Sequence, residues 1–244
     1  MNNLLVLIKK IFIRLKPKIK PSRNNNECII FGSGPSIDNI DLSEKFFKDK
    51  DLIGCNYVHK NILFKNISFK FYSMIDRDYS KTIGDSYFQS LKTDYFITST
   101  KNAYLFKFKF LFKKNFLIIK TMGYENKNKL EISKIISGDT LFTGNSVPFL
   151  IACAAFVFNY KVIYLYGIDH YNMQDIMNNN FENSKNYEGR NIKKLAITKE
   201  KLKFINSLYS YIYKLCLKRG ITVYNMTQGT KLDIIPRIEQ SDIL

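Results

Sequence analysis

Two turns in this chain carry the residue types that bind phosphate. The first, Gly32-Ser33-Gly34-Pro35-Ser36, follows the apolar run Cys28 to Phe31. Glycine has no Cβ, so a strand that empties into glycines can bring backbone N–H groups up to an anion. The same residues also make an ordinary tight turn, and the composition of the turn alone does not separate the two. The second, Thr143-Gly144-Asn145-Ser146, precedes Val147 to Phe158, a stretch without a charge. Asn145 or Ser146 is a good N-cap, and Pro148 stands in the first turn, where its missing N–H costs nothing. The positive end of a buried helix there would supply the other half of an anion site. Neither GxGxxG nor GxxxxGK[ST] occurs, which argues against a standard dinucleotide or P-loop site.

Placing these turns requires a sheet. Short apolar runs recur at Cys28–Phe31, Asp51–Asn56, Lys70–Ile75, Tyr95–Thr98, Phe116–Ile119, Val162–Tyr166 and Ile221–Tyr224. They are interleaved with polar or helical segments and show no internal repeat. The spacing predicts a helix in part of Asp38–Lys50, a buried one over Val147–Phe158, and a long one over Leu195–Arg219 closed by Gly220. This is the pattern of a single Rossmann-like α/β domain, with a mostly parallel sheet of about seven strands and helices on both faces. Ligands of such sheets lie beyond the carboxyl ends of the strands, at a switch point in strand order. The residues expected there are Ser33, Asn56, Asp76, Asp169-His170-Tyr171, Asn225 and Thr227, a set of amides, hydroxyls and carboxylates suited to a sugar, a ribose and a base. The basic aromatic segment Lys101 to Lys114 reads equally as a contact surface and as a half-buried edge strand.

The formal charge is +17, from 38 Lys and Arg against 21 Asp and Glu. It favours a polyanionic partner: an anionic membrane face or a phosphorylated substrate. No zinc-finger or RNA-recognition signature occurs, so nucleic acid is set aside. Cys28, Cys55, Cys153 and Cys216 form no CxxC pair and read as buried free thiols of a reducing compartment. Residues 1–23 form a basic segment without an acid, with apolar residues at helical spacing; residues 24–244 form the α/β domain. The apolar run of this segment is far shorter than the roughly 20 residues that span a bilayer, and no small-residue cleavage site follows it. It is either an amphipathic helix lying on an anionic membrane or a helix packed on its own domain or on a dimer mate. Asn24 to Asn26 read as a short linker.

Four features in order carry a family resemblance: GSGPS after the first strand, Cys55-Asn56 at the end of the second, Gly144-Asn145-Ser146 before the apolar helix, and NYKVIYLYGIDHY. Together they resemble the bacterial sialyltransferases of glycosyltransferase family 42. They also resemble the sialyltransferase-like domain of Maf-type flagellin glycosyltransferases, often described as hydroxymethylpterin-pyrophosphokinase-like; VYNMTQGTKLD is closer to the latter. The similarity covers roughly residues 27 to 235. It implies a fold of the GT-A-variant type and an inverting transfer of a sialic-acid-like or Kdo-like sugar from a CMP-activated donor to a glycan or lipid-linked glycan. No metal or other cofactor is implied. Carried over by motif, Gly32, Ser33, Gly34, Pro35, Ser36 and Asn56 would hold the nucleotide. Thr143, Gly144, Asn145 and Ser146 would lie by the donor, and Tyr171 would hydrogen-bond the departing phosphate. Asp76 and Asp169 join the ligand set as strand-end residues.

This sequence departs from the family in two places. Residues 172 to 200 hold no His where the sialyltransferases have their general base, which leaves His170, Glu188 or Asp169 for that role. Tyr187 in the same segment is a candidate second phosphate ligand. The family also has Asn where this chain has Ser33, which leaves the donor sugar open. A homo-oligomer would follow the family's tendency. The N-terminal segment would place the protein in the cytoplasm, on the inner face of a bacterial cytoplasmic membrane, where lipopolysaccharide and capsule acceptors grow. The other readings are a Mg²⁺-dependent pyrophosphokinase, with Asp76, Asp78 and Asp169 around the metal, and a non-catalytic nucleotide-binding module.

Overall fold

A computed structural model describes residues 8, 13, 21–43, 45–75, 91–107, 111, 113, 115–123, 135, 140–143, 145–169 and 199–243. Seven strands form one sheet: β1 (Glu27–Phe31), β2 (Asp51–Cys55), β3 (Phe69–Ser73), β4 (Thr93–Ser99), β5 (Phe116–Ile119), β8 (Val162–Tyr166) and β9 (Thr222–Asn225). Their order is β5-β4-β3-β2-β1-β8-β9, and every pairing is parallel. The strand runs read from the sequence are the strands of this sheet. A parallel strand covered on both faces needs no polar alternation, so each reads as a continuous apolar run. The strand order reverses at β1, between β2 and β8. Two further strands, β6 (Thr121–Gly123) and β7 (Leu141–Thr143), pair in a small second sheet that three-residue segments do not announce.

Successive side chains of a strand point to opposite faces, and β1 divides its residues accordingly. Cys28 and Ile30 face one core with α3 (Ser146–Ala152) and α4 (Lys199–Lys218). Ile29 and Phe31 face the other, built from aromatic residues of short pieces: Phe46 and Phe47 of α1 (Lys45–Lys48), and Val58 and Phe64 of two 3-10 turns. Asp38–Lys50 is thus helical only in two pieces, the 3-10 turn Pro35–Asn39 and α1. The Lys101–Lys114 segment opens as the short helix α2 (Thr100–Ala103), not as a strand, and Phe108 to Phe110 lie outside the described residues. The apolar helix after the second turn is α for Ser146–Ala152 and π for Cys153–Val157, with the Phe158 amide reaching back to the Cys153 carbonyl. The C-terminus of α4 is a Schellman motif: Gly220 adopts φ +62°, its N–H donates to Leu217 O, and the Ile221 N–H donates to Cys216 O. All four cysteines are buried free thiols, and burial pushes the Cys216 thiol up to about 12.

At the amino edge of the sheet one buried carboxylate gathers three segments. Asp51 accepts from the Tyr160 hydroxyl at 2.6 Å and from the N–H of Asn24 at 2.9 Å and of Asn25 at 3.4 Å. Asn24 to Asn26 therefore belong to the domain and are not a free linker, since the Asn26 carbonyl also accepts from Lys161 N–H. In the N-terminal segment, Ile13 packs against the aromatic core while Ile8 is exposed. Among the described residues no helix is long and apolar enough to cross a membrane.

Tyr160 is fully buried, and its hydroxyl is held far from ionisation, first by that burial. The variant Tyr160→Phe leaves the buried Asp51 carboxylate one donor short. It is expected to lower stability by about 1–3 kcal/mol in urea denaturation, with no effect on ligand binding at the opposite edge.

Candidate functional site

The carboxyl ends of β2, β1 and β8 are neighbours, and the two turns singled out above meet there. The first turn closes onto β8. Gly32 N–H donates to Tyr166 O at 2.7 Å, and Gly34 N–H donates to Gly167 O at 2.9 Å. The glycines are required by this approach: a Cβ on Gly32 would lie 2.4 Å from Gly167 O, and one on Gly34 would lie 1.7 Å from Asp169 Oδ2. Asp169 is buried at 3% exposure; its carboxylate accepts from Ser36 Oγ at 2.9 Å and faces Ser36 N–H at 3.3 Å. The two glycine N–H groups expected to meet an anion are thus spent on β8, and the glycines serve a strand-to-strand closure. Ser33 is half-buried at the tip of this loop. Pro35 opens the 3-10 turn.

The Gly167–Asp169 turn is held in its turn by the loop after β9. Ile168 N–H donates to Thr227 Oγ1 at 3.0 Å, Thr230 Oγ1 donates to Ile168 O at 2.7 Å, and Lys231 N–H donates to Asp169 O at 3.2 Å. Asn225 accepts from Thr227 N–H at 3.1 Å. Asn225 and Thr227 are buried; Thr227 Oγ1 takes the Ile168 N–H and Asn225 Nδ2 donates to Thr230 Oγ1 at 3.3 Å, so both brace the turn from behind. The brace fixes the chain up to Asp169.

The second turn meets β2. Asn145 is the N-cap of α3, its Oδ1 accepting from Val147 N–H at 3.2 Å. Ser146 stands at the first helical position, where its Oγ accepts from Asn56 Nδ2 at 2.9 Å. Asn56 has φ +50°, the left-handed conformation, which Asn tolerates better than other side chains. Its N–H donates to Ser73 O at 3.1 Å. The bridge from Asn56 to Ser146 spans the mouth between the end of β2 and the start of α3. Thr143 ends β7 in register with Gly123. At the ends of β3 and β4, the hydroxyls of Ser73 and Ser99 are buried with no hydrogen-bond partner among the described residues.

The structure therefore brings together Gly32, Ser33, Gly34, Pro35, Ser36, Asn56, Asn145, Ser146 and Asp169. Asp76, Gly144, His170, Tyr171, Tyr187 and Glu188 lie outside the described residues. Among the described residues no three His, Cys, Asp or Glu side chains cluster as metal ligands, and Asp169 is engaged by Ser36. Two features escaped the sequence. His59 and Tyr72 pack against Asn56, and only the position of His59 three residues past that asparagine signals it. A cavity of about 440 Å³ also lies between the Ser36–Asp41 stretch, Thr227 and the C-terminal residues Arg237 and Gln240.

Neither a protein-family model nor a curated protein matches the chain at the level of sequence. Solved structures match in fold. The sialyltransferase CST-II in complex with a trisaccharide acceptor and CMP aligns at TM-score 0.51 and 20% identity, over 86% of this chain and 85% of that one. CstII from Campylobacter jejuni in complex with a substrate analogue, cytidine-5'-monophosphate, aligns at TM-score 0.51 and 20% identity, over 88% and 86%. The MAf glycosyltransferase from Magnetospirillum magneticum AMB-1 aligns at TM-score 0.55 and 13% identity, over 98% of this chain and 38% of that one. The chain shares the fold of these enzymes, as the four sequence features implied.

Asn56 separates conformation from contact. Asn56→Gly keeps the left-handed backbone and removes the amide, whereas Asn56→Ala also strains the turn. In chemical denaturation the Ala variant is expected to be about 1 kcal/mol less stable than the Gly variant. Both should lose the bridge to Ser146.

Proposed function

We propose that this chain is a glycosyltransferase that takes a sialic-acid-like or Kdo-like sugar from a CMP-activated donor and passes it, with inversion, to a hydroxyl of a bacterial surface glycan. One observation carries this: the bridge from a left-handed Asn56 to Ser146, beside the Gly32–Ser36 loop, in a fold shared with a sialyltransferase whose structures hold CMP. The nucleotide is held through side chains, Ser33 and Asn56, because the N–H groups of Gly32 and Gly34 are committed to β8.

In the transfer, the acceptor oxygen bonds to the anomeric carbon as the bond from that carbon to the CMP phosphate oxygen breaks. The bonding pair stays with the phosphate, and the negative charge that develops there needs preorganised donors. Tyr171, two residues beyond the braced Asp169, supplies one, and Tyr187 a second. Thr143, Gly144, Asn145 and Ser146 line the donor side. The acceptor proton goes to a general base, His170 or Glu188. Asp169 is assigned instead to holding Ser36, since its carboxylate is buried and engaged there. Asp76 is assigned to the ligand set. The basic residues 1–23 hold the enzyme at an anionic membrane face, near lipid-linked acceptors of lipopolysaccharide or capsule.

Thermal unfolding in EDTA with CMP, CDP, UDP, GDP and ATP, and with ATP and Mg²⁺ in a separate arm, tests the nucleotide. CMP at a hundred times its dissociation constant is expected to stabilise the fold by about 2.7 kcal/mol. A response to ATP with Mg²⁺ alone would favour a pyrophosphokinase, and no response to any would overturn the proposal. In a donor-hydrolysis assay, Tyr171→Phe is expected to slow turnover by about one to two orders of magnitude without changing the melting temperature.

A further inference from the structure

We propose that His59 and Tyr72 are positioning residues of the nucleotide site, a pair that holds Asn56 in its left-handed conformation and aims its amide at Ser146. This rests on the assignment of Asn56 to the donor nucleotide made above. The geometry starts at Gly54. A glycine inside a strand marks a place where another group comes close, and here it is an aromatic ring: a Cβ on Gly54 would lie 2.5 Å from Tyr72 Cε2. Lying across β2 in that gap, the fully buried Tyr72 carries its hydroxyl to the Asn56 carbonyl, to which it donates at 3.0 Å. The same hydroxyl accepts from His59 N–H at 3.1 Å.

The His59 ring completes the clamp. Its Nδ1 lies 3.1 Å from Asn56 O and 3.0 Å from the Tyr72 hydroxyl. A carbonyl oxygen only accepts, so with Tyr72 donating to Asn56 O we assign the ring proton to Nδ1, which then donates to the same carbonyl. The Asn56 carbonyl thus receives two donors while its N–H is held by Ser73 O. A residue in the left-handed region persists only where its surroundings over-determine it, and these contacts meet that condition at Asn56. The effect passes to the ligand through the one amide that bridges to Ser146.

The test uses four full-chain variants, with two readouts in EDTA: backbone amide exchange of Asn56 in the ligand-free protein, and the CMP dissociation constant by calorimetry. Tyr72→Phe and His59→Ala are each expected to speed Asn56 exchange about tenfold and weaken CMP about tenfold, leaving exchange in β1 and β8 unchanged. His59→Asn, whose Nδ2 replaces the Nδ1 donor, is expected to restore both. His59→Gln, which places its donor where Nε2 stands, is expected to restore neither. Unchanged Asn56 exchange, equal rescue by both amides, or loss of protection across the whole sheet would each overturn the positioning role. Should the variants show the expected exchange pattern while wild-type protein binds no CMP, the clamp stands and the cytidine assignment of the site falls.

Discussion

The structure turns on the closure of the β1 loop against the end of β8. Parallel strands carry no direct link at their carboxyl ends, so something must tie the loops that leave them. Here a buried carboxylate, Asp169, receives the hydroxyl of Ser36 across the gap, and the absence of side chains at Gly32 and Gly34 lets the two backbones touch. A buried charge is tolerable only where hydrogen bonds replace its lost water, and the hydroxyl and amide of Ser36 lie against this one. Everything further along that edge is measured from this knot.

Around it the domain is braced in layers. The loop after β9 holds the Gly167–Asp169 turn through Thr227 and Thr230, whose hydroxyls act on backbone groups of Ile168. On the other side, Tyr72 crosses β2 at Gly54 to reach Asn56. Asn56 and Ser146, bridged to each other, therefore sit between two supports built from buried side chains. Preorganisation of this kind is what the proposed transfer would draw on, since fixed hydrogen-bond donors must meet the charge as it develops.

The strands of the main sheet were legible because each is a short, largely apolar run, which is how a doubly covered parallel strand reads, and most of them lead into Gly, Asn or Asp. Gly220 announced the end of α4 for a comparable local reason: glycine adopts the left-handed conformation of a helix C-terminus without the Cβ clash that most residues meet there. Roles that depend on partners remote in sequence were not legible. Asp169 looks the same in sequence whether it meets a ligand or a serine 133 residues away. Thr227 and Asn225, read as strand-end ligands, are bonded within the loop after β9 and to the turn after β8. The asparagines at 24 to 26 suggested a linker, yet the amides of Asn24 and Asn25 bind Asp51. His59 escaped notice because a lone histidine carries no spacing pattern; its meaning lies in a tyrosine of the next strand.

The strand order also governs how the chain must assemble. Of the strands of this sheet β1 comes first along the chain, and one of its two neighbours, β8, begins only at Val162. Until that segment arrives, one edge of Cys28–Phe31 has no hydrogen-bond partner, and the loop at its end has nothing to close upon. Parallel pairing over so long a separation makes folding slow and leaves apolar edges open to wrong partners. The knot at Asp169 can therefore form only after the chain has reached residue 169, and the brace behind it, the loop after β9, arrives later still.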